Sequence, residues 1–189
     1  MVLASIDETI VRARAGDVVS FPTDTVPALA VVADHADKIY QLKGRSRLKP
    51  LILMGASVDS LQPFVVGWHP AWQAAVDRGW PGPLTLVVPA SDRVPAQAIS
   101  DGDSVGIRIP ASPTARQILT ATGPLATTSA NLSGSEPLTS PHQIEATFPS
   151  VTVLDRPFPQ AATPSTVVRW CETEQTWEIL RQGAYRLSD

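Results

Sequence analysis

The chain has 189 residues, of which 43% are apolar and 17% charged, with a formal net charge of -3. This favours one domain with a substantial core, and it excludes a disordered chain and a basic surface covering the whole protein. The one cysteine, Cys171, excludes an intramolecular disulfide and fits a reducing, cytoplasmic setting. The longest apolar stretch, VPALAVVA, is too short to span a membrane, so we expect no membrane segment.

Helix and strand signals alternate from the N-terminus onward. The tetrapeptide SIDE, which begins at Ser5, has the form of a capping box and predicts a helix that Gly16 ends. DVVSFP predicts a β-strand that ends at Pro22, and Asp34 is predicted to cap a second helix over HADKIYQLK. LILM predicts a short buried strand, and PAWQAAVDRG predicts a third helix.

The second half of the chain contains more strand signals, in PGPLTLVVP, SVGIRIP, PLATTS, VTVLD, STVVRW and WEILRQ. Ser112-Pro113 predicts a helix that runs to about Thr122, and Ser140 begins another capping box. Several of these strands are close enough in sequence to pair antiparallel. We therefore predict a single α/β domain over residues 1–189, with a twisted, mixed parallel and antiparallel sheet and flanking helices, rather than a doubly wound fold.

The stretch KGRSRLKP holds Lys43, Arg45, Arg47 and Lys49 within one short segment. If the segment is extended, residues two apart share a face, and the four cations point the same way. A bound polyanion such as a triphosphate would offset their repulsion. The alternative is a solvated charged segment that protects a sheet edge.

Two other segments place polar groups where a strand ends. FPTDTVPAL supplies Thr23, Asp24 and Thr25, and PLATTSANLSG supplies several hydroxyl groups and one amide. Strand ends of α/β sheets bind small polar ligands, and turn N–H groups bind phosphate. The alternative for both segments is an ordinary hydrogen-bonded turn. Neither segment is a Walker A or a dinucleotide-binding motif, and the three histidines lack metal-ligand spacing.

Together these segments resemble the YrdC/TsaC family, the L-threonylcarbamoyladenylate synthases. The matching stretches lie in the family's order over residues 21–183: FPTDTV, KGR with KPLIL, WPGPLTLVVP, VGIRIP, TTSANLSG, PSTVV and ILRQG. The resemblance implies a sheet around a positively charged central cleft. It also implies an enzyme that makes L-threonylcarbamoyl-AMP from L-threonine, bicarbonate and ATP with release of pyrophosphate, the first step of t6A modification of tRNA.

The resemblance also implies roles for individual residues. The catalytic and nucleotide-positioning residues would be Lys43, Arg45, Ser129 and Asn131. The ATP-binding residues would be Arg45, Lys49, Ser104, Ser129, Pro137 and Arg181. The threonine-binding residues would be Thr25, Arg108, Thr127 and Ser165. Mg²⁺ is expected to accompany ATP without protein ligands of its own, and the product would pass to a tRNA threonylcarbamoyl-transferase complex.

The chain also departs from the family pattern. Where the family commonly has TVYGLG, this chain has TVPALA, and Met54 stands where longer members often carry a histidine. Because the chain ends soon after ILRQG, we expect no additional C-terminal domain. The alternative function is a YciO-like paralogue that binds nucleotide, tRNA or double-stranded RNA without synthase activity. The presence of both the K-x-R and the S-x-N pairs favours the synthase.

Overall fold

The structure is a computed structural model that describes residues 3–44, 46, 49–96, 98, 103–158 and 163–187. Its helices are α1 (Ile6–Arg14), α2 (Asp37–Lys43), α3 (Val58–Leu61), α4 (Pro70–Gly79), α5 (Pro113–Thr122) and α6 (Pro141–Thr147). Its strands are β1 (Val19–Phe21), β2 (Ala28–Val32), β3 (Ile52–Met54), β4 (Leu84–Pro89), β5 (Ser104–Arg108), β6 (Leu125–Ser129), β7 (Thr152–Val153), β8 (Thr166–Cys171) and β9 (Thr176–Arg181). None of the helices in these described ranges has the length and apolar character needed to cross a bilayer.

The strands form one sheet in the order β7-β1-β2-β6-β3-β5-β4-β8-β9. Three neighbouring pairs are parallel, namely β1 with β7, β3 with β5, and β4 with β8. The other five pairs are antiparallel. The prediction of a mixed sheet with flanking helices is therefore confirmed.

Successive strand residues point to opposite sides of this sheet, and both sides carry buried apolar side chains. Helices therefore pack on both faces. On the first face, the core contains buried side chains from α2, α3, α4 and α6, represented by Ile39, Leu61, Trp72 and Ile144. On the second face, α1 and α5 pack over β1, β2 and the adjoining ends of β3 and β6. The cleft described below opens on the remainder of this second face.

The local predictions near the N-terminus have mixed outcomes. Ser5 caps α1 as predicted, since its side chain accepts a hydrogen bond from the Glu8 N–H at 3.2 Å. The prediction that Asp34 caps the second helix is wrong: Asp34 lies within a short 3₁₀ helix, and α2 begins at Asp37 without a side-chain cap. Strand β2 (Ala28–Val32) was not predicted.

The basic stretch begins at the C-terminal end of a helix. Lys43 is the last residue of α2, and Gly44 ends the helix in the left-handed conformation with φ of 55°. Lys43 is therefore the last residue of the helix, as the predicted segment HADKIYQLK has it, and the extended geometry considered for KGRSRLKP does not apply to Lys43. Arg45 and Arg47 lie outside the described residues.

Candidate active site

A cleft of about 670 Å³ opens on the second face of the sheet. Strand register explains which side chains reach it. Gly106 pairs with Ile52 of β3 and with Val87 of β4, and Ile52 pairs in turn with Thr127 of β6. Residues opposite each other in a sheet point to the same side, so these four positions form one row across the cleft floor.

The described residues that line the cleft include Lys49, Arg108, Arg169 and Arg181 and no Asp or Glu. The whole chain has a net charge of -3, so cationic side chains are locally concentrated here. Hydroxyl groups from several strands also line it, including those of Thr25, Ser104, Thr127, Ser129 and Ser165. Such a lining suits an anionic ligand that also carries hydrogen-bonding groups.

One end of the cleft is built around a cluster of Lys43, Ser129 and Asn131. Lys43 is buried, with 5% of its surface exposed, and its Nζ donates to the Ser129 carbonyl at 2.5 Å and to Asn131 Oδ1 at 3.0 Å. The Ser129 hydroxyl also donates to Asn131 Oδ1, at 2.6 Å. Ser129 and Asn131 line the cleft, whereas Lys43 is not among the described lining residues and supports them from behind.

A second cluster surrounds Arg108, the last residue of β5. Its Nη2 donates to Asp24 Oδ1 and its Nη1 to Thr25 Oγ1, each at 2.8 Å, and its Nε donates to the Gly82 carbonyl at 3.0 Å. Burial lowers the pKa of Arg108, and the neighbouring Asp24 carboxylate opposes that shift. Asp24 fixes the guanidinium from outside the cleft lining. These hydrogen bonds use three of the five guanidinium N–H groups, and Arg108 itself lines the cleft.

A third cluster, which consists of Thr85, Ser165 and Arg181, lies toward the β9 edge of the sheet, where a β-bulge shapes it. The pairing between β8 and β9 shifts between Val167 and Val168, and both Leu180 and Arg181 line the cleft. An extra residue in one strand redirects side chains in this way. Arg181 Nη2 donates to the carbonyl of Ser165 at 2.9 Å, and the Ser165 hydroxyl lies 2.9 Å from that of Thr85.

The Sua5/YciO/YrdC family model, described as "Telomere recombination", matches residues 12–183. The chain belongs to this family.

Alignments with relatives in the family cover most of this chain. A curated threonylcarbamoyl-AMP synthase from Vibrio parahaemolyticus is 32% identical over 187 residues, covering 95% of this chain and 99% of the relative. The crystal structure of Pyrococcus abyssi Sua5 with L-threonine superposes with a TM-score of 0.86 at 32% identity, covering 94% of this chain and 54% of Sua5. E. coli YciO has a TM-score of 0.81 at 22% identity, which shows a shared fold. The alternative of a paralogue without synthase activity is not favoured.

The structure brings most of the predicted YrdC-type site residues to one cleft. The described lining residues include every predicted site residue except Lys43 and Arg45: Thr25, Lys49, Ser104, Arg108, Thr127, Ser129, Asn131, Pro137, Ser165 and Arg181. Lys43 lies directly behind two of them, and Arg45 lies outside the described residues. Thr127 already donates its hydroxyl to the Ile52 carbonyl at 2.9 Å, so its oxygen could only accept from a ligand. The roles of these residues toward ligands stay predictions.

Sequence reasoning did not predict several residues of this YrdC-type cleft. Val87, Val167 and Leu180 give it an apolar side, and Arg169 adds a cation at its rim. Arg169 is held by Glu178 across the β8–β9 pair at 2.7 Å, and this hydrogen bond raises the pKa of Arg169. The alternation of residues along β4 and β8 was a signal for these positions, but the face that meets the cleft follows only from the sheet order.

A metal site made of protein ligands is not found among the described residues, where no group of three or more His, Cys, Asp and Glu side chains converges. The cleft lining in the same residues offers hydroxyl and amide oxygens but no carboxylate. Mg²⁺ in nucleotide sites is commonly held by phosphate oxygens and water with few protein ligands. The lining therefore suits a magnesium ion that arrives with its nucleotide.

Proposed function

We propose that this chain synthesises L-threonylcarbamoyl-AMP from L-threonine, bicarbonate and ATP, with release of pyrophosphate. The observation that carries the proposal is the cleft itself, in which the Arg108 cluster and the Ser129–Asn131 cluster line one cavity together with Lys49 and Arg181. This arrangement fits the carboxylate of an amino acid and the phosphates of a nucleotide held side by side. The threonylcarbamoyl-AMP synthases that resemble the chain along nearly its whole length support the same reaction.

The threonine end of the cleft is assigned to Arg108 and its neighbours. The guanidinium is already fixed by Asp24, Thr25 and Gly82, so little side-chain freedom is lost when a carboxylate binds to the remaining N–H groups. The hydroxyl groups of Thr25 and Ser165 lie nearby as hydrogen-bonding partners for a small amino acid. This geometry supports a rigid site for threonine.

The nucleotide end is assigned to Lys49, Ser104, Pro137 and Arg181, all of which line the cleft. The threonine nitrogen is first carboxylated to a carbamate, with bicarbonate as the source of the carboxyl group and water released. A carbamate oxygen then attacks the α-phosphorus of ATP, and the bond to the β-phosphate oxygen breaks as pyrophosphate leaves. Cations along the cleft would reduce repulsion between the reactants and stabilise the negative charge of the transition state.

Lys43 and Asn131 have a positioning role in this scheme. The buried ammonium of Lys43 binds the Ser129 carbonyl and the Asn131 amide oxygen, which holds the loop after β6 against the end of α2. That contact places Ser129 and Asn131 beside the C-terminal end of α2, and Lys49 lines the same cleft. Mg²⁺ would enter with ATP and supply charge neutralisation of the phosphates.

The proposal includes the cellular role of the product. Threonylcarbamoyl-AMP would be consumed by a tRNA threonylcarbamoyl-transferase complex in the cytoplasm, completing t6A in tRNA. Direct contact with tRNA or double-stranded RNA is not required for the reaction, and the net charge of -3 offers no broad surface for phosphate backbones.

The test is pyrophosphate release measured with each substrate omitted in turn, together with mass-spectrometric detection of threonylcarbamoyl-AMP. We expect release only when threonine, bicarbonate and Mg-ATP are all present. Arg181→Met should raise the KM for ATP, whereas Arg116→Met, which removes an exposed arginine on α5 away from the cleft, should not. Tight RNA binding by a wild-type protein that forms no adduct would instead support the alternative function.

A further inference from the structure

Gly106 differs from the other described glycines because neither its backbone conformation nor its packing requires a glycine. The structure describes ten of the chain's 11 glycines. Five have a positive φ that other residues rarely adopt: Gly16, Gly44, Gly67, Gly123 and Gly134. Four more would bring a Cβ within 3.0 Å of another atom: Gly55, Gly79, Gly82 and Gly183.

Gly106 belongs to neither group. A Cβ built on it would lie 3.4 Å from Thr85 Cγ2 and 3.5 Å from Ile52 Cγ1, which are ordinary contact distances. Its φ lies outside the left-handed range, and it occupies the middle of β5, which is paired on both sides. Glycine weakens a strand at such a position, and its presence often marks a close approach by a ligand.

The missing side chain would point into the cleft. Gly106 lines the cavity, and its register partners Ile52 and Val87 line it on either side. Neighbouring strands lie about 4.8 Å apart, so Gly106 leaves a gap about one side chain wide between them. The same face of β5 carries Ser104 two residues before this gap and Arg108 two residues after it.

We propose that Gly106 keeps open the point in the cleft where the two substrates meet, so that the reacting carbamate and α-phosphate pass directly over its Cα. The inference rests on the proposed function, which assigns Ser104 to ATP and Arg108 to threonine. The absence of a side chain at Gly106 then gives the reacting groups the space they need. A side chain there is compatible with the fold but occupies that space.

The test uses the full chain with Gly106→Ala and Gly106→Val. For Gly106→Ala we expect a melting temperature equal to or above that of the wild type, because the added Cβ has room and strengthens the strand. Turnover should fall in steps, by about 10-fold for alanine and about 100-fold for valine, as expected when reacting atoms are displaced by ~1 Å. The dissociation constants for Mg-ATP alone and for threonine alone should change less than turnover does. Each ligand would contact Gly106 only through its reacting group, the α-phosphate or the amino group that becomes the carbamate.

Ala111→Val is the matched control, since Ala111 is exposed just beyond β5 and outside the cleft lining. Wild-type turnover is expected for it. The inference is overturned if Gly106→Val turns over at a rate near that of the wild type, or if Gly106→Ala melts well below it. An inactive wild type would overturn the proposed function and this inference together, whereas active wild-type and valine variants would overturn the inference alone.

Discussion

Removal of the Asp24 carboxylate should strongly destabilise the protein. Asp24 Oδ1 accepts from Arg108 Nη2 at 2.8 Å, and the two side chains are only 15% and 4% exposed. Asp24→Ala leaves the buried guanidinium with Thr25 and Gly82 as its remaining partners among the described residues, both of them uncharged. Breaking a buried ion pair from one side costs about 3–5 kcal/mol, which is a large part of a typical unfolding free energy of about 5–15 kcal/mol.

Asp24→Asn should cost less. The amide oxygen can still accept from Arg108, but the amide nitrogen takes the place of Oδ2, a buried atom without a hydrogen-bond partner among the described residues. Burying an unsatisfied donor costs about 1–3 kcal/mol. The expected order of unfolding free energies is therefore wild type, then Asp24→Asn, then Asp24→Ala.

Equilibrium urea unfolding measures these differences, provided that the m-values agree. Glu178→Ala is the control, because it breaks the Arg169–Glu178 pair, whose side chains are 53% and 43% exposed. Exposed pairs contribute about 0–1 kcal/mol. The double variant Asp24→Ala/Arg108→Met should be more stable than the sum of its single variants predicts, since it removes both charges. Equal costs for Asp24→Ala and Glu178→Ala would refute this reasoning.

Asn131→Ala should lose about 1–3 kcal/mol in urea unfolding, because Lys43 and Ser129 lose a shared acceptor, and about 10²-fold in turnover; a folded variant with wild-type turnover would remove Asn131 from the site. Thr127→Val should lose about 1 kcal/mol with its bond to the Ile52 carbonyl and should raise the KM for threonine; an unchanged KM would limit Thr127 to structure. Chelation of Mg²⁺ should abolish pyrophosphate release and restored Mg²⁺ should recover it, whereas full turnover in chelator would contradict the metal's role.

The sequence alone determined most of the local structure. Helix α4 spans Pro70–Gly79, the same residues as the predicted PAWQAAVDRG, and α5 begins after the predicted cap Ser112. These elements depend on signals within a few residues, namely proline at the first turn, a capping hydroxyl and apolar spacing. The motif series also identified the family and ten of the described residues that line the cleft, but not Thr85 or Gly106.

The tertiary structure decided how these segments combine. Asp24 and Arg108 are 84 positions apart, and Lys43 and Ser129 are 86 apart, so no local pattern could pair them. The sheet order places β3 between β6 and β5, and this order brings Ile52 beside Thr127 and Gly106. Register depends on which strands pair, because a shift of one residue turns every side chain to the opposite face. For this reason the row of residues across the cleft floor and the open space at Gly106 are properties of the folded sheet.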